Sequence, residues 1–121
     1  MSNSIKVKRS NVPGKVPTTS DVSAGEFALN TADKKLYVGT GGSVERVNYI
    51  PIVRETPYGD VDGVNTIFIL AKTPIPDTES VYYNGQLLDS GSGNDYTISG
   101  DTITTEFTPL AGSKIKVSYF V

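Results

Sequence analysis

The sequence predicts an all-β protein: an N-terminal extended arm and β-hairpin or meander, followed by a small β-sandwich. Two observations lead to this prediction. Apolar and polar residues alternate in short runs, as in half-buried strands, and no run has the period of a helix. Turn residues, mostly Gly, Asn and Asp, recur about every ten residues in the C-terminal half, a spacing typical of small sandwiches.

Charge divides the chain of 121 residues into two parts. Residues 1–54 hold eight Lys or Arg and four Asp or Glu, whereas residues 55–121 hold three and nine. Pro51 and Pro57 bracket the point where the charge changes sign, so we predict an arm and hairpin at 1–50, a joint at 51–57 and a sandwich domain at 58–121. The opposite charges could attract neighbouring subunits, could bring the basic arm to another acidic surface or to nucleic acid, or could reflect two differently solvated surfaces.

The arm, residues 1–24, is predicted to be extended. Ile5 and Val7, alternating with lysines, predict a short strand. Pro13 and Pro17 then break any regular element and hold the residues before them in extended conformations.

Residues 25–50 predict a short meander of three strands, at 26–30, 35–39 and 44–48, joined by tight turns. Such a meander buries little surface by itself, so we expect a partner chain to cover its apolar face. The apolar residues assigned to that face are Phe27, Leu29, Leu36 and Val38.

Residues 58–121 predict the sandwich, with Asn84-Gly85 as the strongest hairpin signal in the chain. Strands are predicted at 65–70, 79–83, 86–88, 95–98, 102–107 and 114–121. In the last strand, alternation directs one set of side chains inward, namely Ile115, Val117, Tyr119 and Val121. The opposite set is Lys114, Lys116 and Ser118. Tyr82 and Tyr83 are neighbours, so one is expected in the core and the other at the surface.

Composition excludes several kinds of chemistry. The chain has no Cys and no His, which excludes disulfides, thiolate catalysis, Cys-ligated zinc and every histidine-based triad. Asp60–Asn65 is rich in oxygen ligands, but its Gly stands fourth and Ala71 occupies the twelfth position, where a calcium loop needs Glu. A turn explains these residues better. We predict no catalytic, cofactor-binding or metal site, and no enzyme.

Two further patterns have plain explanations. Gly39–Gly42 lacks the Gly-Lys-Ser/Thr of a phosphate loop and fits a hairpin turn. The carboxylates Asp95 and Asp101 stand in predicted turns, where Asp is favoured for backbone hydrogen bonding. No apolar run is long enough to span a membrane, and no signal peptide is visible.

The N-terminal part carries a recognisable pattern. It contains Lys8-Arg9-Ser10, then Pro13-Gly14-Lys15-Val16-Pro17-Thr18, then Gly25 to Val38 with the sequence GEFALNTADKKLYV. This pattern resembles a segment near the N-terminus of many tailed-bacteriophage virion proteins, in tail fibres and in head or collar appendages. Nearly every position of the family pattern, K-R-S, P-G-K-x-P-T and G-E-x-A-x-N-T-x-D-x-x-L-Y, is filled.

The C-terminal part is similar to a small sandwich module repeated in phage tail, baseplate and fibre proteins. Such modules are similar to immunoglobulin-like accessory domains, so the resemblance implies an immunoglobulin-like β-sandwich. The likeness is carried by Asp62–Asn65, Val81–Gly85, Asp95–Thr97 and Val117–Tyr119. Fibre proteins continue beyond such modules into receptor-binding regions, whereas this sequence stops at its last strand. We therefore expect a small accessory or collar-type subunit.

Together the resemblances imply a non-enzymatic structural component of a tailed-phage virion, in its tail, collar or baseplate or as a head appendage or capsid decoration, assembled in the host cytoplasm. Its expected partners are copies of itself and other virion proteins. A homotrimer is favoured, a ring of six or twelve comes next, and neither membrane nor nucleic acid is expected. The expected interface residues are Lys8, Arg9, Pro13, Lys15, Phe27, Leu29, Leu36, Tyr37 and Val38. The alternative is a carbohydrate-binding or host-adhesion module that uses exposed aromatic residues.

Overall fold

The chain is all-β, as predicted. The computed structural model describes residues 6–121, so Ile5 of the predicted arm strand lies outside the described residues. These residues form eleven strands and no helix. The strands belong to two compact units, Met1–Tyr49 and Ile50–Val121.

The first unit is one four-stranded sheet in the order β1-β2-β3-β4. Its strands are β1 (Lys8–Ser10), β2 (Phe27–Asn30), β3 (Lys35–Gly39) and β4 (Val44–Arg46). The predicted meander is the antiparallel part, β2-β3-β4. The arm supplies a further strand, because β1 pairs with β2 in parallel. Parallel neighbours need a long connection, and residues 11–26 provide it.

The second unit is sandwich-like. Its strands are β5 (Pro51–Glu55), β6 (Ile67–Ile69), β7 (Ser80–Tyr83), β8 (Gln86–Leu87), β9 (Tyr96–Ser99), β10 (Thr102–Thr105) and β11 (Ile115–Phe120). They form a three-stranded sheet, β6-β10-β9, and a four-stranded sheet, β5-β11-β7-β8. The unit thus has the two-layer architecture of immunoglobulin-like domains with its own strand order. Asn84 and Gly85 both have positive φ, as the predicted hairpin turn requires.

The core of the second unit draws on both sheets. Its buried residues are Phe68, Leu70, Val81, Tyr96, Ile103, Ile115, Val117 and Tyr119. Three of them are alternate residues of β11, as the sequence pattern predicted. Tyr83 packs against this core and donates or accepts a hydrogen bond with Ser113, while Tyr82 lies on the opposite side of β7. The two side chains point to opposite sides, as predicted, but both are half-buried, so the predicted difference in exposure is wrong.

Residues 51–57 are not a joint. Pro51–Glu55 is strand β5, which pairs with β11 at the edge of the larger sheet. Ile50 exchanges two backbone hydrogen bonds with Val121, each 2.9 Å long. Pro51 is compatible with this strand because proline is tolerated at the first residue of an edge strand. The two prolines and the change of charge therefore mark the first strand of the sandwich.

Two buried tyrosines of the core place their hydroxyl groups against carboxylates. The Tyr119 hydroxyl donates to Glu55 Oε2 at 2.9 Å, and the Tyr96 hydroxyl donates to Glu79 Oε1 at 3.3 Å. Burial, followed by the neighbouring carboxylate, raises the pKa of each phenol to about 12. The neutral phenol is therefore the form that the folded unit holds.

This arrangement predicts alkaline unfolding of the second unit. In the unfolded chain these phenols ionise near a pKa of about 10. Their contribution to stability is complete below that pH and is lost as the pH rises towards about 12, because the unfolded state releases its protons first. Melting curves recorded by circular dichroism, together with tyrosinate absorbance, measure this loss.

The matched variants are Tyr119→Phe and Tyr58→Phe. Tyr58 belongs to the same unit and is 82% exposed, so its loss should leave the pH profile unchanged. Tyr119→Phe should make the alkaline decline shallower, at a cost at neutral pH of about 1 kcal/mol for the lost hydrogen bond. Equal alkaline declines in both variants would contradict the assignment.

Candidate functional site

The first unit contains the residues that resemble the virion segment, and its sheet has two different faces. One face, here called the inner face, consists of Ala28, Asn30, Tyr37 and Gly39, all of them buried. The other, the outer face, consists of Phe27, Leu29, Leu36 and Val38. The long connection between β1 and β2 contacts the inner face through hydrogen bonds that most of the pattern residues provide.

Asn30 is the centre of these contacts. Its side chain is 1% exposed. The Nδ2 group donates to the carbonyl oxygens of Val12 and Lys15, each at 2.9 Å. The Oδ1 atom accepts from the backbone amides of Ala32 and Asp33, each at 3.0 Å. Two donors and two acceptor positions are therefore all used, which is the full capacity of an amide side chain.

The neighbouring pattern residues attach the same loop at other points. Asp33 Oδ2 accepts from the backbone amide of Gly14 at 2.7 Å. Thr31 donates to the carbonyl of Ser10 through its amide at 2.8 Å and through its hydroxyl at 3.1 Å. Gly14 has a φ of 76°, a conformation that glycine adopts without steric cost. The Pro-Gly-Lys loop is thus held by the Asn-Thr-x-Asp turn.

The second half of the connection is held by two carboxylates. Asp21 Oδ2 accepts from the amide of Thr18 at 2.8 Å and also from its hydroxyl, and these hydrogen bonds lower the pKa of Asp21. Glu26 Oε1 accepts from the amide of Ser23 at 2.7 Å, which lowers the pKa of Glu26, with a further contribution from Lys8. Lys8 Nζ lies 3.3 Å from Glu26 Oε2 and also donates to the carbonyl of Asp21.

The loop and the sheet approach each other so closely at Gly39 that only glycine fits there. A Cβ atom at Gly39 would lie 2.2 Å from the carbonyl oxygen of Ser23, far inside van der Waals contact. Ala24 forms a parallel bridge with Gly39, and the amide of Gly25 donates to the Gly39 carbonyl at 2.8 Å. The loop therefore lies directly on the sheet at this point.

The outer face is apolar and partly accessible to solvent. Phe27 lies opposite Val38, and Leu29 lies opposite Leu36, so the four side chains form two cross-strand pairs. Phe27 is 48% exposed and the other three are half-buried. These are the four residues that the alternation in the sequence predicts on the apolar face.

Tyr37 does not belong to this surface. It was expected at the interface, but successive residues of a strand point to opposite faces, and Tyr37 lies on the inner face at 5% exposure. Its predicted interface role is therefore wrong for this face.

The predicted basic residues are distributed unevenly. Lys8 is engaged with Glu26 and Asp21, so its charge is partly neutralised within the unit. Arg9 and Lys15 are exposed beside the β1 edge, where they line a groove of about 530 Å³ together with Lys8, Pro17, Asp21 and Asn30. Pro13 is exposed at the tip of the loop.

The oxygen-rich segments of the second unit are turns. Asp62 Oδ1 accepts from the amides of Val64 and Asn65 at 2.9 and 2.8 Å, and these bonds lower its pKa. Asp95 Oδ2 accepts from the amide of Asp89 at 2.8 Å. Asp101 lies in the turn between β9 and β10 and accepts a hydrogen bond from the Thr102 hydroxyl. Asp62 and Asp95 thus hold backbone turns, as the sequence predicted, whereas the Asp101 carboxylate bonds to a side-chain hydroxyl.

The hydrogen bonds of Asn30 predict how a substitution at this position changes the stability of the first unit. In Asn30→Asp the side chain keeps its shape, but an ionised carboxylate cannot donate to the carbonyls of Val12 and Lys15. We expect the first unit to lose about 3 kcal/mol, seen as roughly hundredfold faster hydrogen exchange of the β2 and β3 amides.

The matched control is Asn11→Asp, which makes the same charge change at an exposed position of the same unit. Its effect on exchange should stay within about 0.5 kcal/mol. Similar protection in wild type and Asn30→Asp would show that the buried amide does not hold the loop.

Comparison with protein-family models, with curated proteins and with solved structures finds no match to this chain. Within residues 6–121 there is no helix long and apolar enough to cross a membrane. The same residues contain no group of three or more acidic side chains arranged to hold a metal ion. Function is therefore inferred from the N-terminal pattern and from the two faces of the first unit.

Proposed function

We propose that this protein is a non-enzymatic structural component of a tailed-phage virion, which self-associates and attaches to the particle through its first unit. The observation that carries the proposal is the outer face. Phe27, Leu29, Leu36 and Val38 form a continuous apolar surface on a unit whose other face is already occupied by its own loop. The resemblance of residues 8–38 to virion attachment segments supports the choice of particle.

The outer face has the character of an interface core. A contiguous apolar patch on a small unit marks an interaction surface, because isolated monomers rarely expose one. Covering it stabilises the unit by about 25 cal/mol for each Å² of apolar surface removed from water. A sheet of four short strands gains more from such cover than a large domain does, because it buries less surface by itself.

A charged rim surrounds this core. Arg9 lies opposite Leu29 on the next strand, and Glu45 lies opposite Val38 on the other side. An apolar centre with polar neighbours is the usual anatomy of a protein interface. The opposite charges at the two edges suit a contact between copies, since Arg9 of one copy can face Glu45 of another.

Self-association through the outer face predicts a specific loss. Replacing Phe27 with Ser removes the most exposed large side chain of the face without touching the inner hydrogen bonds. We expect a homo-oligomer for the wild type and at least about tenfold weaker association for the variant, because large apolar anchors dominate interface energetics. Sedimentation velocity over a micromolar concentration series measures both.

Leu110→Ser is the control for this experiment. Leu110 is 69% exposed in the second unit, so a general loss of surface hydrophobicity would affect both variants alike. Oligomers should persist in Leu110→Ser. A wild type that sediments as a monomer throughout, or a Phe27→Ser variant that assembles normally, would contradict the outer face as the interface.

Attachment to the particle predicts a division between the units. We expect a fragment of residues 1–49 to bind particles that lack the native protein, and a fragment of residues 50–121 to fold without binding them. The second fragment begins at Ile50 because that residue pairs with Val121. Its cooperative unfolding is checked by circular dichroism, and binding is measured by cosedimentation with the particles.

The outcome is decided by comparing the two fragments. Particle binding by the folded 50–121 fragment alone would place the attachment surface in the second unit.

Arg9→Gln in the full chain tests the charged rim. We expect this variant to self-associate more weakly than the wild type at low salt, and the difference should shrink as salt is raised, because screening weakens exposed charge contacts.

A further inference from the structure

A concave surface on the larger sheet of the second unit collects most of that unit's positive charge. It lies on the side of β5, β11 and β7 that faces away from the core, and its volume is about 450 Å³. We call it the basic face. Its lining residues are Arg54, Tyr82, Asn84, Gly85, Lys114, Lys116 and Ser118.

The charge distribution is unusual for this unit. Residues 50–121 contain nine acidic residues and only four basic ones, Arg54, Lys72, Lys114 and Lys116. Three of those four line the basic face, and no acidic residue does. Among residues 6–121 none of the three forms an ion pair, and only Lys116 has a side-chain acceptor, the hydroxyl of Thr56.

Arg54 is held in place by a strained backbone. Its φ is 54°, in the left-handed region that few residues other than glycine adopt. The pairing of β5 with β11 shifts register between Val117 and Tyr119, and the amide of Arg54 donates to Ser118 Oγ at 3.0 Å. Bulges of this kind redirect a side chain, and a non-glycine residue kept in such a conformation points to a role for that side chain.

The basic face presents donors almost exclusively. Lys114 and Arg54 have no side-chain acceptor among the described residues, and the Oδ1 atom of Asn84 already accepts from the Lys114 amide at 2.9 Å, which leaves its Nδ2 group available. Ser118 Oγ accepts from Arg54, so its own proton is free to be donated. The half-buried ring of Tyr82 lies opposite Lys116 on the neighbouring strand.

We propose that the basic face binds an acidic saccharide, a sugar chain whose units carry carboxylates. The planar guanidinium of Arg54 suits bidentate contact with a carboxylate, and Lys114 and Lys116 add point charges. The amide of Asn84 and the hydroxyl of Ser118 can donate to ring hydroxyl oxygens. The ring of Tyr82 offers an apolar surface to a sugar, while its hydroxyl remains polar.

A saccharide fits this surface better than an acidic peptide. An extended peptide gains affinity by adding a strand to a free sheet edge, where backbone groups are unpaired. The basic face instead lies on the side of the sheet that faces away from the core. Its central strand is β11, which is paired on both edges, by β5 and by β7. Side-chain donors and a ring surface are what it offers, and these suit the oxygen-rich rim of a sugar chain.

The test is a titration of the full-length protein with oligogalacturonate of six units. The comparison ligands are the fully methyl-esterified form, which keeps the sugar backbone without charge, and hexaglutamate, which keeps the charge without the sugar. Calorimetry gives affinity, and amide NMR shifts locate the site. We expect oligogalacturonate to bind at least about tenfold more tightly than either comparison ligand, with shifts at Arg54, Lys116 and Ser118.

Three variants make the result specific. Arg54→Gly should weaken binding about tenfold without lowering the melting temperature, because glycine adopts the positive φ freely. Tyr82→Leu should weaken oligogalacturonate binding and leave the weak hexaglutamate binding unchanged. Lys72→Gln removes the one cation of the unit that lies outside the basic face and should leave the affinity unchanged.

Several results would overturn the proposal. Equal affinity for hexaglutamate and oligogalacturonate would make the surface an acidic-peptide site. Binding that Lys72→Gln weakens as much as Arg54→Gly would reduce it to general attraction by charge. No detectable binding at millimolar oligogalacturonate would exclude an acidic saccharide. None of these outcomes depends on whether the first unit attaches to a particle.

Discussion

The buried amide of Asn30 is the constraint on which the first unit depends. This one side chain connects the Pro-Gly-Lys loop to the turn after β2, and all its hydrogen-bonding groups are used. Neither Asp nor Leu could replace it, since one lacks the donors and the other lacks both donors and acceptors. A long connection without helix or strand is thereby fixed on a small sheet that has little apolar core of its own.

Because of this constraint, the two faces of the sheet have different roles. Most pattern residues, such as Glu26, Asn30 and Asp33, serve the inner face and the loop. On the outer face, Phe27 and Leu29 stand at positions that the pattern leaves open and Val38 follows its last position, whereas Leu36 is fixed by the pattern. Side chains on that face can change without disturbing the hydrogen bonds beneath. A common scaffold can therefore present different surfaces to different neighbours, which agrees with an attachment role.

Local alternation allowed much of the fold to be predicted. The meander, the Asn84-Gly85 hairpin and the buried side of β11 all follow from residues close together in sequence. The features that were not predicted depend on distant pairing. Strand β1 finds its partner across residues 11–26, and the sequence around β5 predicts a joint because the partner of β5 is the distant last strand. The hydrogen bonds of Asn30 and the positive φ of Arg54 likewise depend on tertiary contacts. The Asn30 site has no local signal beyond the Asx residue itself, and the bulge at Arg54 exists only through the pairing with β11.

The parallel pairing of β1 with β2 has a consequence for the order of folding. Strands β2, β3 and β4 are joined by short turns, so their contacts are local and form quickly. Strand β1 is synthesised before them, yet it has no partner until β2 exists, and the intervening loop must close to bring it into register. Until then the chain carries an unpaired basic strand and an exposed Asn30. We expect β1 to join the sheet last, which leaves an interval during synthesis when β2 of a neighbouring chain could capture it instead.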